Sequence, residues 1–138
     1  VIRSAANVTV IPLDVTREVG ISEGEIESDI RPAKRPNCVF FEKVTEVVVQ
    51  YGKLNGGYAG LHLHDPTAVA YGLQPDLFSV EGILVDVEVA GHLTSGQLVT
   101  DRRVGVRAGK QKGTRTRVAM GVDAGAVLEL FRERVLRA

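Results

Sequence analysis

The chain has 138 residues, 44% hydrophobic and 25% charged, and its 17 basic and 17 acidic side chains leave a formal net charge of zero. That balance suits one soluble domain with a moderate core and argues against electrostatic attachment to nucleic acid or an anionic membrane. The single cysteine, Cys38, excludes an internal disulfide and fits a reducing compartment, and no apolar run approaches the roughly 20 residues that span a bilayer.

Val1 is not an initiator methionine, and VIRSAA reads as the end of a helix already under way. The expectation is that upstream sequence has been removed, lost or placed on another chain; ordinary trimming of a complete domain is the alternative. Asn7 to Thr16, NVTVIPLDVT, is apolar almost throughout, as a strand buried on both faces would be. Asp14 and Thr16 end that strand at a turn. Ser22-Glu23-Gly24-Glu25 has capping-box spacing and should open a short helix. Arg31 to Asn37, with Pro32 and Pro36, is a connection.

Phe40, Phe41, Val44, Val47, Val48 and Tyr51 recur at helical spacing, and Cys38 joins the core beside them. Gly52 to Gly60, GKLNGGYAG, should be a mobile glycine-rich loop. A helix follows over about Pro66 to Leu73 and stops before Pro75. Val80 to Val89 alternates through Ile83, Val85, Val87 and Val89, with Asp86 and Glu88 on a wet face. Gly91 to Gly96 turns the chain, and Gln97 to Asp101 returns as a hairpin partner. Thr116 to Val122 is a further strand, and Ala124 to Arg137 is an amphipathic helix built on Val127, Leu128, Phe131 and Val135. This order implies an α/β layer with an antiparallel portion.

The most informative stretch is Leu61 to Tyr71, LHLHDPTAVAY, where an apolar strand gives way to a helix. Alternation places His62 and His64 on one face, and α/β folds bind their ligands at such junctions. Two readings of His64 and Asp65 stay open on chemistry alone. Asp65 before Pro66 is a good helix cap with a polar neighbour. Alternatively, Asp65 is a carboxylate ligand of a hard cation and His64 a proton donor, a role suited to its unperturbed pKa of about 6.5. A transition-metal site opened by His62-x-His64 is not the expectation, because it needs further histidines, of which only His92 remains, and a barrel of roughly 250 residues. Tyr51 and Tyr58 are either loop anchors or part of a lid that closes over a ligand. Arg102, Arg103, Arg107, Lys110, Lys112, Arg115 and Arg117 crowd one stretch, but no aromatic residue there stacks on bases, so a solvated loop is expected.

With these residues in place, HDPTAVAY resembles the motif in the C-terminal half of the inosine-uridine preferring nucleoside hydrolases. NVTVIPLDVT is similar to the family's strand ending in Leu-Asp-x-Thr. GILVDVEVAGHLTSGQLVTD is similar to its hairpin, and TRVAMGVDAGAVLELFRERV to its closing strand and helix. The resemblance covers nearly the whole chain in the family's order. It implies the C-terminal part of a nucleoside-hydrolase-like mixed sheet flanked by helices, with an antiparallel hairpin. Residues 1–138 would then be a single region of that domain, with the N-terminal half absent.

The implied activity is hydrolysis of the N-glycosidic bond of ribonucleosides, in purine and pyrimidine salvage, by water activated on a bound calcium ion. By the same resemblance Asp65 is a calcium ligand, His64 helps protonate the leaving base, and Tyr51 and Tyr58 match the tyrosines of the family's mobile loop. A histidine at that position belongs to the less base-selective branch, implying broad or pyrimidine-inclusive specificity. A cytoplasmic enzyme is implied, a dimer or tetramer at full length, with a ribonucleoside partner and neither nucleic acid nor membrane. The family's aspartate-rich DTDxGxDD motif, which supplies most calcium ligands and the catalytic base, is not among these residues, so the chain alone is expected to be inactive. Ser95 also stands where the family's turn has arginine. The alternative is a shortened, non-catalytic domain acting as a binding or oligomerisation module.

Overall fold

The computed structural model describes residues 1–4, 7–55, 57–102 and 113–138. The chain is α/β, with a mixed sheet, helices and an antiparallel hairpin, as expected. It divides into two compact units, one of Val1–Val10 with Val80–Met120 and one of Ile11–Ser79 with Gly121–Ala138.

The first unit is organised by a four-stranded sheet in the order β1, β6, β4, β5. Strand β1 (Thr9–Val10) runs parallel to β6 (Thr114–Val122), with Thr9 opposite Arg117 and Val10 opposite Val118. Strand β4 (Phe78–Val87) pairs antiparallel with β5 (Leu98–Thr100), with Val85 opposite Thr100 and Val87 opposite Leu98. Of the alternating residues expected to face inward, Val85 is buried, whereas Val87 and Val89 are exposed. Arg3 and Asp86 form an ion pair on the surface. Most of the basic stretch, residues 103–112, lies outside the described residues; Arg102 pairs with Glu81.

The second unit carries the junction of interest. The strand expected over Asn7 to Thr16 is only two residues long, and from Pro12 the chain enters a helical turn, α1 (Leu13–Thr16). Extended Pro12 acts as its cap, and its carbonyl accepts the amides of Val15 and Thr16 at 3.1 and 3.0 Å. Val15 and Thr16 on this turn are buried, while Leu13 is exposed. Strand β2 (Gly20–Ser22) then pairs antiparallel with β3 (Gly60–His62), Gly20 lying opposite His62.

The capping box forms as read. Ser22 Oγ accepts the Glu25 amide at 3.2 Å, and the Glu25 carboxylate accepts the Ser22 amide at 2.8 Å. This opens α2 (Glu23–Glu25), which widens into a π-helical turn, Ile26–Ile30. The connection that follows contains a short helix, α3 (Arg31–Ala33), ended by Lys34 in the left-handed region at φ 49°. Helix α4 (Pro36–Leu54) begins with proline in its first turn, where no backbone donor is lost.

Helix α4 runs into the segment expected to be loop, taking in Gly52, Lys53 and Leu54. A side chain at Gly52 would bring its Cβ within 2.5 Å of the Tyr58 carbonyl, so glycine permits the chain to fold back over the helix end. Its packed face is Cys38, Phe41, Thr45 and Val49. Of the apolar positions read from the periodicity, only Phe41 belongs to that face; Phe40, Val44, Val47, Val48 and Tyr51 are exposed. Cys38 is buried as expected, its thiol directed at the Leu136 carbonyl.

Helix α5 (His64–Leu73) ends before Pro75 as expected. Asp123 caps α6 (Ala124–Phe131) by accepting the Ala126 amide at 3.0 Å. The final helix does not continue as α-helix to Arg137: a π-helical turn, Arg132–Leu136, follows. The wider turn rotates the buried face by one position, so Leu136 packs inward and Val135 is 41% exposed. Among the described residues no helix is long and apolar enough to cross a membrane.

Candidate functional site

The site is built at the end of β3. Leu63 donates its amide to Val19 at 2.9 Å, which ties the chain to the residues before β2. Helix α5 starts at His64, earlier than the spacing suggests, with Leu63 as its N-cap residue. The Leu63 carbonyl accepts both the amide and the hydroxyl of Thr67, which is fully buried. Two anchors therefore fix the backbone that presents His64 and Asp65.

Asp65 is not the cap. It sits in the first turn of α5, exposed, without a side-chain hydrogen bond among the described residues. A carboxylate there is favoured by the helix dipole yet keeps its oxygens free. His64 is also exposed, but one nitrogen is engaged: Nδ1 lies 2.8 Å from the Thr16 hydroxyl. Thr16 is 4% exposed, so the partner is buried and rigid while the ring is open.

His62 stands on the same side as His64, their ring centroids 5.7 Å apart and tilted 36°. Tyr58 stacks on His62 at 4.4 Å. Gly60 lets β3 approach β2 this closely, since a Cβ there would lie 2.3 Å from the Ile21 carbonyl. His62 Nδ1 is buried without a hydrogen-bond partner among the described residues. Burial, followed by the neighbouring His64, holds the His62 pKa below its ordinary value. Burial, followed by Glu25, raises that of the Tyr58 phenol.

His62, His64 and Asp65 line a cavity of about 660 Å³, together with Phe40, Val44 and Arg134. The wall is largely apolar with a few polar side chains, the general character of a small-molecule site. The structure therefore brings together His62, His64, Asp65 and Tyr58. Tyr51 stands apart, 68% exposed on α4, with no ring contact among the described residues. His92 lies in a turn of the first unit. Sequence reasoning passed over Thr16 as a strand end; its signal was the Leu-Asp-x-Thr tetrapeptide, legible only once α1 and α5 are seen to pack together.

Among the described residues no group of three or more His, Cys, Asp or Glu side chains is placed to hold a metal ion. Calcium takes six to eight oxygen ligands. Asp65 offers one or two, so these residues do not by themselves fit a calcium ion.

A family model described as inosine-uridine preferring nucleoside hydrolase matches residues 1–129. An inosine-uridine preferring nucleoside hydrolase of Leishmania major is 30% identical over 118 residues, covering 85% of this chain and 35% of that protein. A pyrimidine-specific ribonucleoside hydrolase of Shewanella oneidensis is 34% identical over 104 residues, covering 74% and 32%. The solved structure of a purine-preferring ribonucleoside hydrolase from Gardnerella vaginalis superposes with a TM-score of 0.73 at 31% identity, covering 94% of this chain and 40% of that one. The chain thus spans about a third of the length of the curated relatives it matches.

Proposed function

The chain belongs to the inosine-uridine preferring nucleoside hydrolase family, and we propose that it is the C-terminal portion of a ribonucleoside N-ribohydrolase in which His64 assists departure of the base. The observation that carries this reading is an exposed imidazole on a cavity wall, held at Nδ1 by a buried hydroxyl. Cleaving a ribosyl–base bond leaves negative charge on the base, and a general acid within reach answers it, a contribution of roughly 10²–10⁴ in rate. Apolar residues along the cavity offer a surface on which the leaving base can rest, and Tyr58 stacks on His62 beside it.

Among the described residues that line the cavity, Asp65 is the carboxylate next to His64, and it is the residue we assign to a calcium ion. On this reading the rest of that ion's shell, and the carboxylate acting as base, would be supplied by other residues of a complete family domain. The substrate is a ribonucleoside. The three relatives carry inosine-uridine, pyrimidine and purine preferences in their names, so membership alone does not set the base.

A second reading has an observation of its own. The exposed apolar face of α4, from Phe40 to Tyr51, suits a chain that acts as a binding module without catalysis. Joining residues 1–138 in frame to the N-terminal portion of a family member separates the two. Calcium-dependent release of ribose from inosine or uridine supports the hydrolase, and a folded, calcium-binding protein that releases none sinks it.

A further inference from the structure

We infer that Thr16 is a positioning residue that holds His64 with a proton on Nδ1, leaving Nε2 as the atom the ring offers to a ligand. The inference rests on the hydrolase reading for its purpose, but its evidence is geometric. Thr16 Oγ1 lies 2.8 Å from His64 Nδ1 and 3.4 Å from the Leu13 carbonyl of its own helical turn. A hydroxyl has one proton to give and lone pairs to receive with. The carbonyl can only accept, so donation from Oγ1 to Leu13 makes Oγ1 the acceptor for Nδ1–H.

This polarity serves the ring in both of its forms. A doubly protonated imidazole can only donate to Thr16, and the hydroxyl then has the Leu13 carbonyl as its outlet. When the ring gives up the Nε2 proton, the Nδ1–H, hydroxyl and carbonyl remain as they were. The reverse polarity, hydroxyl to bare Nδ1, would require the buried hydroxyl to turn during every transfer. Thr16 is also placed to resist such motion: it is 4% exposed, and its amide is bonded to Pro12 at 3.0 Å. The backbone of His64 is anchored separately through Leu63 and Thr67, so what Thr16 adds is control of the ring.

The test is a long-range ¹H–¹⁵N spectrum of the labelled 138-residue chain, read where the His64 ring is neutral and assigned by its loss in His64→Asn. The inference predicts Nδ1 protonated and Nε2 bare in the unmodified chain. Thr16→Ser should keep that pattern, and Thr16→Val should move the proton toward Nε2, the site that free histidine prefers. His64 carrying its proton on Nε2 in the unmodified chain, or an unchanged Nδ1–H pattern in Thr16→Val, would overturn it. If Thr16→Val does not fold, the unmodified and Thr16→Ser spectra still decide, since Nε2–H in either contradicts the assignment. The spectrum needs no turnover, so a failed nucleosidase assay would remove the purpose of the contact without altering this result.

Discussion

At the scale of single residues, the two histidines of the junction have opposite surroundings. His64 is open and tied at one nitrogen to Thr16, whereas His62 is sandwiched, with a buried Nδ1 and Tyr58 across its face. Burial lowers the His62 pKa, so as pH falls below about 6.5 the unfolded chain takes up a proton there before the folded chain does. Protonation then favours the unfolded state, and this contribution to stability declines as pH falls from about 7 toward 5. His62→Phe keeps a ring against Tyr58 and removes the buried nitrogen. It should change stability at neutral pH by no more than about 1 kcal/mol and reduce the loss on acidification. Urea melts at neutral pH and near pH 5 check this; an undiminished pH dependence in His62→Phe would assign the slope elsewhere.

The elements show where pattern reading succeeds and where it stops. Ser22 to Glu25 was legible because a capping box is a local device: both partners lie within one turn. The Ser22 hydrogen bonds, helped by Arg132, hold the Glu25 carboxyl below its ordinary pKa. That stabilisation is present above the unfolded-state value and is lost as pH drops through the lower folded-state one. Ser22→Ala should therefore cost about 1 kcal/mol at neutral pH and less in acid, measurable by denaturant titration at both. Helix α4 was legible as a helix because its apolar positions keep the period, but its packed side was not. The buried stripe runs through Cys38, Phe41, Thr45 and Val49, with a polar threonine in its middle, while the stronger apolar stripe faces outward. Val49→Ala should cost about 1.5 kcal/mol for two lost methyl groups, and Val47→Lys should stay within about 0.5 kcal/mol. Equal costs in thermal melts would contradict this assignment of faces. The π-helical turn after α6 was not legible at all, since sequence periodicity presumes a constant turn of about 3.6 residues.

At the scale of the whole molecule, the order of segments carried the family, and the fold agrees with it. Half of the candidate site was readable in LHLHDP because those residues are contiguous. Thr16 was not, because its partner lies 48 residues away and no local pattern announces the contact. Among the described residues no group of three or more His, Cys, Asp or Glu side chains is placed to hold a metal ion. Millimolar calcium should therefore leave the melting temperature of the 138-residue chain unchanged, because only a ligand bound by the folded state raises it. A clear calcium-dependent rise would mean that these residues build a fuller ion site than Asp65 provides. The central claim is that His64 delivers a proton to the departing base. The direct measurement compares kcat for inosine with kcat for a p-nitrophenyl riboside, in the chain joined to a family N-terminal portion and in its His64→Gln variant. The account predicts a loss of roughly 10²-fold or more with inosine and little loss with the nitrophenyl riboside, whose leaving group departs without protonation. Equal losses on both substrates would contradict it.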